Sequence, residues 1–374
     1  MSYLDSITIP TLLLDENKCR KNMQSMADKA MRNHTRLTPH FKTHQSRLIG
    51  DWFQGIGIGE INVSSIKMAS YFSEQNWQNI HIAFPFNPLE AHHLDELAHQ
   101  SSVSIQLVNE EVTKSLAQQL KIPVGFFIEI DAGYGRTGVE AWDYEKIEKI
   151  LQAARPTNKL YFKGFYIHAG HTYQADIAGI SKIHEETKNA LKKLRSKFKE
   201  DFPTMVTRSG DTPSCALMEN FEGIDEISPG NFIFYDLMQT AIGSCHKEDI
   251  AVALAVPIVD IKEEKNEILV HGGAIHLSKE YLMNADGSKN YGEVVLLNEN
   301  GWNLSEETSY LKSISQEHGL IQASTGLVNQ LKVGDLIGIL PVHSCLTADC
   351  MGEFWSTEGQ IIDHLSGQKR QLPT

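Results

Sequence analysis

At 374 residues the chain is long enough for two domains with filled cores, and 34 basic against 47 acidic residues give a formal charge of −13. That balance argues against a nucleic-acid or anionic-membrane partner recognised through a basic surface. No run of about 18 apolar residues predicts a membrane-spanning helix, and the start Met1-Ser2-Tyr3-Leu4-Asp5 lacks the basic-then-apolar pattern of a secretory signal. Five scattered cysteines, Cys19, Cys215, Cys245, Cys345 and Cys350, fit a reduced cytoplasmic protein better than a disulfide framework.

Residues 11–14 read as an early strand, expected to join a second domain. From about residue 37 to 230, short apolar runs alternate with amphipathic stretches. The runs cover 37–41, 60–64, 80–84, 103–108, 124–130, 160–168, 205–209 and 224–228, and helical patterns such as 143–154 and 177–197 lie between them. Eight strands with intervening helices predict a parallel (β/α)8 barrel, with an open doubly wound sheet as the rival. After about residue 245 the pattern changes. Runs at 251–261, 267–270, 293–297, 336–340 and 360–365 read as strands, and Asn284-Ala285-Asp286-Gly287 and 298–301 as turns. The expected organisation is a barrel over 16–243 and a mostly β domain made of 1–15 and 244–374.

Lys42 closes the first barrel strand, and in such barrels the C-terminal strand ends face the active site. Desolvation there would expose a nucleophilic amine able to form a Schiff base; the plain alternative is a loop lysine. Asp131-Ala132-Gly133-Tyr134-Gly135-Arg136-Thr137-Gly138 follows the strand 124–130 and brings Asp131 and Arg136 to one rim, either as an oxyanion contact from Arg136 or as a surface ion pair. Tyr166 and His168 share one side of the next strand, in a segment running on to Tyr173; a structural histidine is the alternative. Ser209, Gly210, Asp211 and Thr212 follow the seventh strand, and Gly230 and Asn231 the eighth. Amides there suit an anion, and a helix cap made by Thr212 is the competing reading. The glycine-rich stretch 55–59 lacks a lysine and reads as a turn. His343 and Cys345 are two apart, so on an extended segment both project to one side, and both are zinc-competent; an inert pair is the alternative, with Asp349 and Cys350 further candidates by proximity.

Pro39-His40-Phe41-Lys42-Thr43-His44, Asp131-x-Gly133-x-x-Arg136-x-Gly138 and Pro229-Gly230-Asn231, in this order, resemble the metal-activated fold-type III pyridoxal-phosphate enzymes. That group includes D-serine dehydratase, D-threonine aldolase and D-threo-3-hydroxyaspartate dehydratase, and is distantly related to alanine racemase. The resemblance runs from Ile9-Pro10-Thr11 to the His343 region. It implies an alanine-racemase-like barrel that binds pyridoxal phosphate, a β domain, and a homodimer. By the same resemblance Lys42 holds the cofactor, Arg136 sits near its phenolic oxygen and His168 beside its ring. Tyr166 and Tyr173 join the cofactor-binding set; Ser209, Gly210, Asp211, Thr212, Gly230 and Asn231 bind the phosphate. His343 and Cys345 hold a divalent metal, zinc, with manganese as the alternative. Three positions depart from relatives: Asp211 where a second glycine is common, Cys345 where aldolases have aspartate, and Ser228 where racemases have arginine. The expected activity is elimination from a β-hydroxy D-amino acid, of the D-serine dehydratase type. Retro-aldol cleavage of D-threonine or 3-hydroxyaspartate, racemisation, and a non-enzymatic role in cofactor homeostasis are the alternatives.

Overall fold

The computed structural model describes residues 3–305 and 307–367. Residues 1, 2, 306 and 368–374 of the expected β domain lie outside the described residues. The chain divides into two compact units, one of Gln24–Lys42 and Gly50–Gly230, the other of Met1–Met23, Thr43–Ile49 and Asn231–Thr374.

The first unit holds eight parallel strands, Arg36–Leu37, Glu60–Val63, Asn79–Pro85, Ser102–Leu107, Val124–Asp131, Leu160–Ile167, Val206–Ser209 and Glu226–Ile227. Each expected run overlaps one, the first only at Leu37. Glu226–Ile227 pairs with Arg36–Leu37, and a parallel bridge from His40 to Asn62 joins the first strand to the second. The sheet therefore closes as a barrel, and the open-sheet alternative falls. The short Val139–Glu140 strand pairs on the side of Val124–Asp131.

The barrel strands alternate. Phe126, Phe162, Phe165 and Phe198 pack ring against ring on the helix side, where burial of apolar area supplies the main driving force. The opposite faces carry polar groups. Arg208, wholly buried, donates to Glu226 at 2.7 Å and Asn62 at 2.8 Å and pairs with Glu60, and its guanidinium lies 4.5 Å from the Phe127 ring. This departs from the branched aliphatic filling usual in such barrels. The helices begin where local chemistry allows. Asp143 caps Tyr144–Ala154 through the Lys146 amide, and Asp176 caps Ile177–Phe198 through the Gly179 amide.

In the second unit, Val252–Lys262, Glu267–His271, His318–Gln322, Tyr310–Ile314, Gly292–Asn298 and Leu336–Pro341 form a closed antiparallel circuit. Closure removes exposed edges. Thr11–Leu14 pairs with Val252–Lys262 in this sheet, as expected, and in parallel with Phe354–Ser356. The expected strand at 360–365 shortens to Ile361–Ile362, because Asp363 leaves the ladder to accept from the Arg47 and Leu48 amides. Tyr310–Ile314 and His318–Gln322 form a hairpin that the run pattern did not single out. No described helix is long and apolar enough to cross a membrane.

Candidate active site

Past Leu37 the first strand keeps its ladder. Thr38 donates to Ile227 and His40 to Pro229, while Phe41 donates to Asn62. Lys42 is thus the first residue beyond the ladder, at the C-terminal end. Phe41 anchors it from behind: its ring is wholly buried within 5.2 Å of the Phe53, Phe72 and Trp77 rings. The Lys42 amide donates to Nδ1 of His40 at 3.2 Å. Lys42 itself is exposed. The expected desolvation of its amine by burial is therefore not met within this chain.

The glycine-rich turn after Val124–Asp131 is built by Asp131. Its carboxylate accepts from Gly133 at 2.9 Å and from Gly135 at 2.8 Å. Gly138, at φ +116°, brings its Cα so close that a Cβ would lie 2.7 Å from the Asp131 nitrogen. Asp131 is thus committed to backbone, and the Arg136 guanidinium lies 5.0 Å from the Tyr134 ring.

His168 hydrogen-bonds to the Gly210 carbonyl through Nδ1. A carbonyl only accepts, so Nδ1 carries the proton and Nε2 keeps its lone pair. Burial, helped by the Lys42 charge, pushes the imidazole down to about 4, so the ring is neutral at pH 7. Tyr166 is buried, which raises its phenol pKa. A Cβ on Gly210 would lie 2.7 Å from the Tyr166 hydroxyl and 2.9 Å from Ser228; only glycine fits that approach.

Asp211, not Thr212, caps the short helix Thr212–Leu217. Thr212 cannot serve as the cap because it is the first helical residue. The Asp211 carboxylate accepts from Ser214 at 2.7 Å and from the Thr172 hydroxyl at 3.0 Å, yet burial lifts it to about 6. Backbone amides here are already partly used: Gly210 donates to Ile167 at 2.9 Å and Thr212 to the Tyr173 hydroxyl at 3.4 Å. The amides of Asp211 and Gly230 take no partner among the described residues. Two open amides at consecutive strand ends, with Ser209 beside them, suit a phosphate.

In the second unit the extended reading of His343 and Cys345 is wrong. His343 precedes the helix Ser344–Met351 and Cys345 lies in its first turn. The cause is Asp236, which accepts from the Ser344 amide at 3.0 Å and from Asn231 at 2.7 Å, and so pins the helix start. Asn231 reaches Cys345 Sγ at 3.5 Å, and the Cys345 thiol donates to the Thr43 hydroxyl at 3.3 Å. Nδ1 of His343 is buried without a hydrogen-bond partner. An unpartnered buried imidazole nitrogen at the cap and a thiol in the first turn of the same helix are ligand types that fit a soft divalent cation. Asp349 is engaged elsewhere, accepting from Gln45 and Ser366. Thr43 is bonded to Lys42 in the chain, and Asn231 to Gly230.

Glu129 escaped the sequence reading. It is buried beside Arg136, one oxygen has no partner, and burial lifts it to about 7 despite Arg136. Its signal was legible: a carboxylate at an alternate position of an otherwise apolar strand. Also unforeseen is the group His271, His276 and Glu317, whose ligand atoms lie within 4.8 Å of one another. Nδ1 of His276 accepts from the Gly273 amide at 3.1 Å, however, which puts the proton on Nε2 facing Glu317. That geometry makes an imidazole–carboxylate contact at His276.

Comparison with known proteins bears on the fold and the family. The model for the alanine racemase N-terminal domain matches residues 14–237, more than half of the chain, and "Putative serine dehydratase domain" matches 251–356. A D-serine dehydratase of Dictyostelium discoideum is 28% identical over 98% of both chains. The solved structure of D-threo-3-hydroxyaspartate dehydratase from Delftia sp. HT23 superposes with a TM-score of 0.88 at 21% identity, covering 97% of this chain and 98% of that one. A cysteine-to-alanine variant of that dehydratase, in the metal-free form, gives the same TM-score of 0.88 at 21% identity, covering 97% and 99%.

Proposed function

The chain belongs to the family built on the alanine racemase N-terminal domain, and from that premise we propose that it is a lyase dependent on pyridoxal phosphate and a divalent metal. It eliminates water from a β-hydroxy D-amino acid, D-serine in the first instance, to give a keto acid and ammonia. The observation that carries this reading is the join at Lys42. The next residue, Thr43, receives the Cys345 thiol at 3.3 Å, so the cofactor lysine and the metal pair are tied through one peptide bond.

When bound, pyridoxal phosphate supplies an electron sink for the Cα carbanion and the metal a Lewis acid for the β-oxygen. The chain's own residues do the rest. Lys42 holds the cofactor and, once released, moves the α-proton at Nζ. His168, neutral and with Nδ1 committed to Gly210, would help hold the cofactor ring without adding charge. Arg136, presented by the Asp131 turn, takes an anionic oxygen through its fork. Tyr166 and Tyr173 border the ring, and the turns at Ser209, Gly210, Asp211 and Thr212 and at Gly230 and Asn231 hold the phosphate by backbone. His343 and Cys345 hold the metal, and the thiolate favours zinc over magnesium or calcium. Two protein ligands leave positions for water and substrate. The lyase is a cytoplasmic homodimer in this reading, which light scattering on the purified protein tests.

The experiment is a panel of D- and L-hydroxy amino acids, with and without chelator, read for keto acid, glycine and the opposite enantiomer. Keto acid from D-serine, lost on chelation and restored by zinc, is expected. Glycine with an aldehyde would transfer the chain to the aldolases, and full turnover without metal would overturn the role of His343 and Cys345. A cofactor-loaded protein inert toward the whole panel would favour cofactor homeostasis.

A further inference from the structure

The N-terminal mouth of the barrel carries a second set of groups that the proposed chemistry does not use. Arg36 opens the strand Arg36–Leu37, Val206 opens Val206–Ser209, and Asp225 immediately precedes Glu226–Ile227. A cavity of about 610 Å³ lies among these strand starts, lined by His34, Arg36, Arg195, Lys199 and Asp225 together with residues 203–206. That volume is in the range of small-molecule pockets. Lys42 and Gly230 sit past, and Ser209 at, the other ends of the same strands.

The charges at this mouth do not balance. Glu226 pairs with Arg36 on one oxygen and with Arg208 on the other. Arg208 also takes Glu60, whose carboxylate has Lys163 3.6 Å away. Asp225 pairs with Arg195 and accepts from the Thr207 amide at 2.7 Å and its hydroxyl at 3.0 Å. Among the lining residues three cations, Arg36, Arg195 and Lys199, stand against one carboxylate, Asp225. Lys199 has no carboxylate within ion-pair distance among the described residues. Glu200 and Asp201, next in sequence, are not among the lining residues.

A plainer account covers part of this. Arg195 and Lys199 lie at the C-terminal end of the helix Ile177–Phe198, where the helix dipole favours cations. It does not cover Arg36 and His34, which arrive from a different segment. His34 adopts φ +54°, left-handed for a non-glycine residue, at the cavity wall. In a chain with a net charge of −13, a cavity with surplus guanidinium and ammonium groups is local and specific. Two arginine forks match planar oxyanions, and a lysine adds a point charge.

We propose that this cavity binds a small multivalent oxyanion through Arg36, Arg195 and Lys199. The shared chemistry admits phosphate and carboxylate sources, so titration calorimetry on the full-length, cofactor-loaded protein has two arms, pyrophosphate and citrate. Saturable single-site binding in at least one arm is expected. Lys199→Gln, at an exposed position, should weaken it about tenfold, or about 1.4 kcal/mol, with turnover in the absence of anion unchanged. Arg36→Gln should weaken it further, and Lys199→Gln keeps the test valid if loss of the Glu226 partner impairs folding. No saturable heat in either arm, or binding that Lys199→Gln leaves intact, overturns the proposal. The heat signal is independent of turnover, so neither outcome bears on the lyase reading.

Discussion

Arg208 and Glu129 stand at one level of the barrel wall, each in register with Tyr166, and both are buried. Arg208 donates to Glu226, Asn62 and Glu60, a set that satisfies its charge where it stands. Glu129 keeps one oxygen without a partner and titrates near 7. Buried polar groups are ordinarily satisfied, and an exception marks either strain or a role still to be played. The matched side of the barrel is therefore read as structure. The unmatched side, with Glu129, the open Asp211 and Gly230 amides, and neutral His168, is read as the working surface.

The largest expected effect tests the working side. Lys42→Ala should lower keto-acid formation by about four orders of magnitude or more, as for loss of a nucleophile elsewhere, and remove the visible absorbance of the bound cofactor. Thermal stability should hardly move, because Lys42 is exposed. A large fall in melting temperature in this variant would break the comparison. Arg208→Met should do the reverse. It leaves Glu226 to Arg36 alone and Glu60 to Lys163 alone, at about 3–5 kcal/mol, measured by urea unfolding. Protein that still folds should bind cofactor with unchanged affinity. Unchanged stability would remove Arg208 from the structural side.

Glu129→Gln sharpens the contrast through pH. With a folded pKa near 7 against an ordinary value of 4.5, Glu129 stabilises the fold below pH 4.5 and loses that contribution as pH rises to 7. The glutamine variant should lack that fall, by about 1–2 kcal/mol at pH 8, in melting curves from pH 4 to 8. His168 runs the other way. Its pKa of about 4 means its contribution is present above pH 6.5 and lost as pH falls through 4. A variant whose stability follows the parent's across pH 4.5–7 would show that Glu129 is already ionised there. The smallest effect belongs to Asp211. Asp211→Ala removes a helix cap, about 1 kcal/mol, while Asp211→Asn retains capping and costs little. Equal loss of cofactor affinity in both, measured by fluorescence titration, would move Asp211 from the cap to the phosphate contacts.

The sequence by itself determined the barrel, because local pattern suffices for it. Each strand alternates a side chain that must leave water with one that need not, and the helices between begin at Asp143 and Asp176. It also placed Thr11–Leu14 with the later strands and put Lys42 at a strand end. The polar barrel interior escaped that reading, although Asn62, His81, Glu129 and Arg208 stand within the runs that predicted the strands. The tertiary structure alone decided which polar groups were satisfied. Asp236 fixes the turn holding His343 and Cys345 from 108 residues away, and that contact converted an expected extended segment into a helix start. The cap bond of Asp211 is local, from the Ser214 amide, but Thr172, 39 residues earlier, also meets its carboxylate. Hydrogen-bond partners so far apart in sequence leave no local period, whereas burial of a strand face leaves one at every second residue.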